Sequence, residues 1–238
     1  MAARDEEEFQ RKKKKKVKEI DGKWPSVKPK KDLKMNRLKS TNLFTISNFL
    51  TAYEAKTFIE AAESIGFTHQ GSLGPTKGEA YRDNDRISVI DPFLAESLWE
   101  SGLKEVFDDI QPNGKVAVGL NPNIRFYRYK AGQKFGRHID ESVDLEQGAR
   151  TYYTLLVYLS GSISPKGKTN PGNNDSSMQP LAGGETVFYD KKLGVVAEVT
   201  PLEGMALLHL HGAKCMLHEA RIVTKGIKYV LRSDVAFV

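Results

Sequence analysis

The chain has 238 residues and a formal net charge of +6, a length that fits one domain with appendages and a core that needs no cross-links. Its single cysteine, Cys215, excludes an internal disulfide framework and favours a reducing compartment. No apolar run approaches the roughly 20 residues that a membrane span needs, and the first residues lack the apolar segment of a secretory signal, so we expect an intracellular protein of the nucleus or cytoplasm with no membrane partner.

The positive charge is confined to the N-terminal segment. Residues 1–40 hold 15 Lys/Arg against 7 Asp/Glu, whereas the rest of the chain holds 21 against 23. This segment is basic and has few apolar residues, so it cannot bury enough apolar surface to become ordered. We therefore predict a disordered tail. Within it, Arg11–Lys18 has the composition of a nuclear-import signal or a nucleic-acid contact, so an import receptor or a nucleic acid is a candidate partner. A solvated tail without any receptor is the alternative.

The first predicted helix follows a short β-prone run that begins near residue 43. Thr51 and Glu54 form the sequence pattern of a capping box, which predicts a helix over residues 52–65. Gly66 is expected to end it.

A second helix is predicted from Asp91, which suits the N-cap position, and Pro92, which suits the first helical position. Before it lies a dense polar cluster that contains Arg82 and Arg86. Either arginine could bind a peptide carbonyl or an acidic group of a substrate, and a solvated turn is the alternative. We expect residues 41–115 to form a strand and helices that cover the outer face of the following sheet.

From residue 116 onwards the sequence consists of short β-prone runs separated by Gly, Pro and Asp turns. The runs cover residues 123–129, 151–159, 181–189, 195–200, 204–209 and 226–232. This pattern predicts a mostly β protein with supporting helices, in which residues 116–238 form a double-stranded β-helix, or jelly roll. The long polar stretch 161–180 is predicted to be a flexible insertion rather than a substrate lid.

His138 and Asp140 are the most informative pair in the chain. On a strand, residues i and i+2 point the same way, so both side chains could bind one metal ion. Two imidazoles and one carboxylate that leave the opposite face of the ion open are the ligands of non-haem Fe(II) enzymes, and His218 can supply the second imidazole. Lys228, ten residues later, could hold the far carboxylate of a dicarboxylic co-substrate.

A zinc site is the alternative for the downstream histidines. His209, His211, Cys215 and His218 offer imidazoles and one thiolate, which are zinc ligands. There is no second cysteine, and the spacing matches no usual structural site. A hydrogen-bonded core histidine is the simpler interpretation of His209.

These residues together resemble a known family. Residues 121–238 look like the catalytic domain of the prolyl 4-hydroxylase-like 2-oxoglutarate/Fe(II) dioxygenases. The matching pieces are Tyr129-(x)8-His138-x-Asp140, Tyr158–Ser160, Gly183–Phe188, Pro201-x-x-Gly204 and His218-(x)7-Gly226-x-Lys228. Collagen-type members carry Trp after the lysine, whereas this chain has Tyr229, a departure that bears on the substrate more than on the chemistry.

The resemblance implies both cofactors and site residues. It implies Fe(II) held by His138, Asp140 and His218, with 2-oxoglutarate as co-substrate, dioxygen as oxidant and ascorbate as a further requirement. Lys228 matches the family position for the 5-carboxylate of 2-oxoglutarate. Arg232, four residues on along the same strand, is its rival. The alternative is that one of the two merely pairs with an acid such as Asp234 or Glu219.

The resemblance also implies a reaction. Tyr129 and Tyr158 match positions that face the co-substrate, with ordinary core packing as their alternative. The expected reaction is hydroxylation of a protein substrate, above all at proline, coupled to the conversion of 2-oxoglutarate into succinate and CO2. The same chemistry on a nucleic acid or small molecule, and a non-catalytic metal- or 2-oxoglutarate-binding sensor, are the alternatives.

Overall fold

A computed structural model of the chain describes residues 24–39, 41–72, 74, 78–161 and 180–238. The basic run Arg11–Lys18 and nearly all of the predicted insertion lie outside these residues, so the predictions for them stay predictions. Among the described residues, no helix has both the length and the apolar character that crossing a membrane requires.

Strands dominate the described part of the chain. They are β1 (Met35–Arg37), β2 (Leu43–Ile46), β3 (Thr68–Gly71), β4 (Arg82–Ile90), β5 (Ala117–Leu120), β6 (Asn123–Tyr129), β7 (Lys134–His138), β8 (Arg150–Tyr158), β9 (Ala182–Gly183), β10 (Thr186–Tyr189), β11 (Val195–Val199), β12 (Ala206–Leu210), β13 (Leu217–Ala220), β14 (Val223–Lys225) and β15 (Lys228–Phe237). The helices are α1 (Ala52–Ile65), α2 (Pro92–Leu98) and α3 (Lys104–Phe107), and a π-helical turn, Trp99–Leu103, joins the last two.

Nearly all the strands belong to one antiparallel sheet that curls on itself. Its order is β1-β2-β12-β8-β15-β6-β4-β7-β13-β10-β11, with β3 added beside β4 and β5 beside β15, while β9 and β14 form a separate pair. The strands β1, β2, β12, β8, β15 and β6 form one wall of the jelly roll, and β7, β13, β10 and β11 form the opposite wall. The predicted jelly-roll core with supporting helices is confirmed.

Strand alternation divides the interior into two cores. Outward-facing residues such as Phe126 and Leu231 pack with the helices, around Phe58 and Leu103. Inward-facing residues fill the space between the two walls. They are Tyr127, Tyr129, Tyr158, Phe188, Leu207 and Val230 with their neighbours. Because successive strand residues point to opposite faces, every second residue of β6, β8, β12 and β15 enters this inner space.

Both predicted helices are confirmed. Thr51 and Glu54 form the capping box at the start of α1, and Gly66 ends the helix with a positive φ of 87°. The Asp91 carboxylate caps α2 by accepting a hydrogen bond from the Leu94 N–H. Gly102 breaks the helical segment with a φ of 123°, and a Cβ there would lie 2.9 Å from the carbonyl oxygen of Lys30.

The N-terminal segment corrects one prediction. Residues 24–39, which we expected to be disordered, pack on the domain: the Trp24 ring stacks on Phe126 at 4.3 Å, and β1 pairs with β2. The predicted boundary at residue 40 is therefore wrong for this part. The error arose because the charge of the whole segment masks a few apolar anchors, such as Trp24 and the buried Val27.

Glu54 joins this segment to α1, and its replacement tests that connection. Its buried carboxylate accepts hydrogen bonds from the Lys28 N–H, from Lys30 Nζ and from the Thr51 N–H. Burial alone would raise the pKa of Glu54, but these hydrogen bonds outweigh it and lower the pKa to about 2. We expect Glu54→Ala to lower the free energy of unfolding by about 2 kcal/mol, since it removes a buried carboxylate that two backbone N–H groups and the partly buried Lys30 ammonium bind.

Urea unfolding of the Glu54→Ala variant and the wild type measures this effect. Since the pKa in the folded state is depressed, the contribution is present above the unfolded value near 4.5 and is lost as the pH falls towards 2. A difference below 1 kcal/mol at neutral pH would show that the segment is not anchored here. The exposed Glu60, on the same helix, provides the control Glu60→Ala.

Candidate metal centre

Strand pairing brings the predicted metal residues together. His138 ends β7, and His218 lies directly opposite it on the antiparallel strand β13. Side chains paired in this way lie within roughly 5.5 Å at their Cβ atoms. Asp140 follows His138 by two residues, and the three side chains place one potential ligand atom each within 4.8 Å of one another.

The two imidazoles have the same hydrogen-bond arrangement. His138 Nδ1 lies 2.8 Å from the Gly136 carbonyl oxygen, and His218 Nδ1 lies 2.9 Å from that of Met216. A carbonyl only accepts, so each Nδ1 carries the proton and donates it. Each Nε2 therefore presents a bare lone pair, and these atoms lie 3.8 Å and 3.6 Å from the Asp140 carboxylate oxygens. Metal-bound histidines have this arrangement.

The protonation states suit a metal site. Burial lowers the pKa of His138 to about 3 and also lowers that of His218, so both rings are neutral at pH 7. Burial alone would raise the pKa of Asp140, but the Arg232 guanidinium and the surrounding imidazoles hold it well below its usual range. Neutral imidazoles and an ionised carboxylate are the forms that bind metal ions.

Lys228 is a buried cation with no carboxylate in contact among the described residues. It begins β15, opposite Tyr129 of β6, and its side chain is 2 % exposed. Its Nζ donates a hydrogen bond to the Gly184 carbonyl and lies 5.5 Å and 5.4 Å from the ring centroids of Tyr129 and Tyr158. Burial lowers the pKa of the ammonium to about 7, so an anion that reached it would gain a strong interaction.

Arg232 has a different environment. Its Nη1 donates to Asp140 Oδ1 at 2.9 Å, and its Nη2 lies 3.4 Å from Asp234 Oδ1. The interpretation in which Arg232 pairs with an acid therefore matches the structure, and a contact of Arg232 with the co-substrate stays a prediction. Its neighbour Asp140 is a second acid that sequence reasoning did not anticipate.

One cavity unites the lysine with the metal residues. It is lined by Tyr127, Tyr129, Phe135, His138, Asp140, Leu156, Thr186, His218, Glu219, Ala220, Lys228, Val230 and Arg232. Tyr158 lies behind this lining, where its hydroxyl forms a 2.7 Å hydrogen bond with the hydroxyl of Thr186. Burial raises the pKa of both Tyr129 and Tyr158, so both hydroxyls stay protonated and can donate.

The two candidate substrate arginines lie on β4 rather than in a turn. The Arg82 guanidinium stacks 4.1 Å from the ring centroid of Phe135, which in turn stacks on His138 at 3.7 Å. Arg86 is paired in register with Tyr127, a residue of the cavity lining. Arg82 is thus close to the metal residues, and substrate contact by either arginine stays a prediction.

Of the four residues in the zinc alternative, three lie close together and His211 does not join them. His209, Cys215 and His218 place ligand atoms within 4.8 Å of one another. His211 is instead hydrogen-bonded through both ring nitrogens, to Thr154 and to Thr151. Burial raises the pKa of the Cys215 thiol to about 11, so it stays protonated and its sulfur accepts a hydrogen bond from the Asp140 N–H.

Sequence reasoning missed how Asp140 is held in place. Thr154 donates a 2.9 Å hydrogen bond to Asp140 Oδ2, while Arg232 holds the other oxygen. Strand parity was the available signal, because Thr154 lies on the same face of β8 as Leu156 and Tyr158. The sequence gives no comparable signal for the pairing of Arg232 with Asp140.

Comparison with known proteins supports the fold. No protein-family model matches the chain, and no curated protein does. Among solved structures, a viral collagen prolyl hydroxylase from Paramecium Bursaria Chlorella virus-1, in a 2OG complex, is 19 % identical, with a TM-score of 0.55 over 84 % of this chain and 99 % of that one.

Two further structures give the same result. A prolyl hydroxylase from Trichoplax adhaerens, in complex with a hypoxia-inducible-factor peptide fragment, is 16 % identical, with a TM-score of 0.55 over 82 % of this chain and 84 % of that one. A Pseudomonas putida prolyl-4-hydroxylase is 15 % identical, with a TM-score of 0.51 over 82 % and 92 %. The chain therefore has the fold of the prolyl hydroxylases, as the sequence resemblance predicted.

Proposed function

We propose that this chain is a 2-oxoglutarate- and Fe(II)-dependent dioxygenase that hydroxylates a prolyl side chain of a protein. The observation that carries the proposal is one cavity that contains His138, Asp140 and His218 together with Lys228. Such a cavity has a metal-ligand set on one side and an unpaired buried cation on the other. A 2-oxo dicarboxylic acid can engage both at once.

The residues present fit Fe(II). His138 and His218 offer neutral imidazole Nε2 atoms, Asp140 offers an ionised carboxylate, and two imidazoles with one carboxylate suit Fe(II) and leave three of six positions open. Bound iron would supply the oxidising chemistry, in which 2-oxoglutarate, dioxygen and a C–H group of the substrate give succinate, CO2 and a hydroxylated product. Arg232 and Thr154 keep the Asp140 carboxylate ionised and fixed.

The protein residues bind and orient the co-substrate. Lys228 pairs with the 5-carboxylate, because its buried ammonium needs an anion and no described carboxylate contacts it; Glu185 acts on it only at longer range. The hydroxyls of Tyr129 and Tyr158 are protonated donors beside that ammonium. The apolar lining, with Phe135, Leu156 and Val230, excludes water from the reacting end.

A protein substrate is supported by two observations. The structures with this fold include prolyl hydroxylases, one of them in complex with a peptide fragment. Arg82, beside Phe135 and His138, offers a guanidinium near the metal residues that can bind a peptide carbonyl. Ascorbate dependence rests on the family resemblance alone and stays a prediction.

The test is a turnover assay on purified full-length protein with Fe(II), 2-oxoglutarate and air. We expect succinate formation that rises when a library of proline-containing peptides is added, and a product heavier by one oxygen atom. Stimulation by RNA, DNA or small molecules instead of peptides would contradict the protein substrate. Iron and 2-oxoglutarate binding without any succinate would indicate a sensor.

The pH dependence of co-substrate binding follows from Lys228. Its pKa is about 7, because burial disfavours the charged form, and a bound carboxylate would raise it. Binding is therefore strongest below pH 7 and weakens by up to about tenfold per pH unit above it. Equilibrium titrations with 2-oxoglutarate between pH 6 and 9 measure this trend, and an affinity that is flat across the range would contradict it.

The run Arg11–Lys18, which lies outside the described residues, directs the enzyme to the nucleus in this proposal. Its support is the density of basic residues. A fluorescent fusion that lacks Arg11–Lys18 is expected to shift from the nucleus to the cytoplasm. An unchanged distribution would sink the targeting role, and a charge-preserving scramble of the first ten residues is the control.

A further inference from the structure

His209 is a buried histidine that the proposed reaction does not use. It lies on β12 in register with Thr154 of β8, and its side chain is 1 % exposed. Strand alternation turns it towards the inner space, as it does Leu207. Its ring meets Phe188 edge to face and lies 4.6 Å from the ring of His218.

One ring nitrogen of His209 has no hydrogen-bond partner. Nδ1 lies 3.2 Å from the Leu210 carbonyl oxygen, which only accepts, so Nδ1 carries the proton. Nε2 is therefore a bare lone pair, and it is buried without a partner. An unpaired buried polar atom destabilises the fold, so its presence calls for an explanation.

An electron-rich atom lies close to this lone pair. His209 Nε2 lies 3.6 Å from Asp140 Oδ2, the same distance that separates His218 Nε2 from that oxygen. Asp140 is ionised, and Oδ2 already accepts a hydrogen bond from Thr154. No hydrogen lies between the two Nε2 lone pairs and this oxygen, so these electron-rich atoms repel one another. A cation bound among them would be attracted by all three.

The three imidazoles around Asp140 thus share one arrangement. His138, His209 and His218 each place Nδ1 beside a backbone carbonyl and each direct Nε2 towards the same carboxylate, at 3.8, 3.6 and 3.6 Å. A backbone carbonyl on the far nitrogen is the usual companion of a metal-bound histidine. His211 shows the contrast, because both of its ring nitrogens are already hydrogen-bonded to threonines.

We propose that His209 is a third imidazole ligand of the metal centre, which makes the resting site one of three histidines and one carboxylate. This inference rests on the proposed metal site. Three nitrogens and one oxygen favour a first-row transition metal such as Fe(II) or Co(II) over Mg²⁺ or Ca²⁺. Four protein ligands leave two positions of an octahedral ion, one fewer than the proposed reaction uses, so the co-substrate competes with His209 for the metal.

Cys215 is a weaker candidate for the fourth donor. Its sulfur lies 3.9 Å from Nδ1 of His218, on the side of the ring away from Nε2. It accepts the Asp140 N–H and contacts the Met216 carbonyl oxygen. Its interactions are thus already made within the protein, whereas those of His209 are not.

The test compares wild type with His209→Phe in metal binding alone. Phenylalanine keeps a ring against Phe188 but removes the donor. Calorimetric titration of the apoprotein with Co(II) should show affinity weaker by about 10–100-fold in the variant. Electron spin-echo spectroscopy of the protein with a single equivalent of Cu(II) should count three coordinated imidazoles in wild type and two in the variant.

The outcomes separate this inference from the proposed function. His69→Phe is the control, since this histidine is largely exposed and lies away from the cavity, and it should retain the Co(II) affinity and the count of three. If wild type shows two imidazoles, or if His209→Phe binds Co(II) as wild type does, His209 is a core residue and the inference is overturned while the metal site stands. If wild type binds no metal, the proposed function falls as well.

Discussion

Replacing His218 with alanine is expected to remove Fe(II) binding and to lower 2-oxoglutarate turnover by about a thousandfold. The imidazole of His218 lies opposite that of His138, and its Nε2 lone pair lies 3.6 Å from the Asp140 carboxylate. Without it, Asp140 keeps its ion pair with Arg232, which already satisfies much of its charge. A bound metal supplies several kcal/mol of stabilisation to such reactions, and about 4 kcal/mol corresponds to a thousandfold in rate.

Fe(II) affinity and succinate formation measure this effect, and thermal unfolding of the metal-free proteins shows whether the variant folds. His69 provides the control His69→Ala, because its imidazole is largely exposed and lies away from the cavity. A folded His218→Ala protein that retains wild-type Fe(II) affinity would contradict the ligand assignment.

Lys228→Ala is expected to raise the KM for 2-oxoglutarate by about a hundredfold. The Lys228 ammonium is buried between Tyr129 and Tyr158, and a carboxylate placed there would be desolvated and paired. Truncation of one partner of such a buried charge pair costs about 2–5 kcal/mol, and about 2.7 kcal/mol is a hundredfold in affinity.

A co-substrate without the distal carboxylate tests whether the Lys228 effect comes from pairing with that carboxylate. A 2-oxo acid that lacks the distal carboxylate, such as 2-oxobutyrate, should bind wild type and Lys228→Ala about equally. Arg232→Ala is the comparison variant: it should weaken metal binding through Asp140 more than it raises the KM for 2-oxoglutarate. An unchanged KM in Lys228→Ala, or a larger increase in Arg232→Ala, would reverse the assignment.

Local patterns in the sequence were sufficient for the elements and for much of the cavity. Capping residues bounded α1 and α2, and the i, i+2 spacing of His138 and Asp140 indicated a shared metal ion, while Tyr129, Tyr158 and Lys228 came from the family resemblance. These features depend on neighbours within a few residues, which a sequence displays directly.

Contacts between residues far apart in the chain could not be predicted from such local patterns. The contact of Arg232 with Asp140 joins residues 92 positions apart, and the approach of His209 to the same carboxylate depends on how β12 pairs with β8. The N-terminal segment was misjudged for a related reason: the Trp24 ring finds its partner, Phe126, about a hundred residues away. A composition average over the segment cannot register one such contact.

The most direct measurement is an anaerobic titration of the full-length protein with Fe(II) and then 2-oxoglutarate, followed by visible absorption. Chelation of iron by the 2-oxo acid produces a weak visible charge-transfer band, which depends on the metal and the co-substrate being bound together. We expect this band in wild type and its loss in His218→Ala. Folded, iron-loaded wild type without the band would contradict the assignment of this cavity as a 2-oxoglutarate/Fe(II) site.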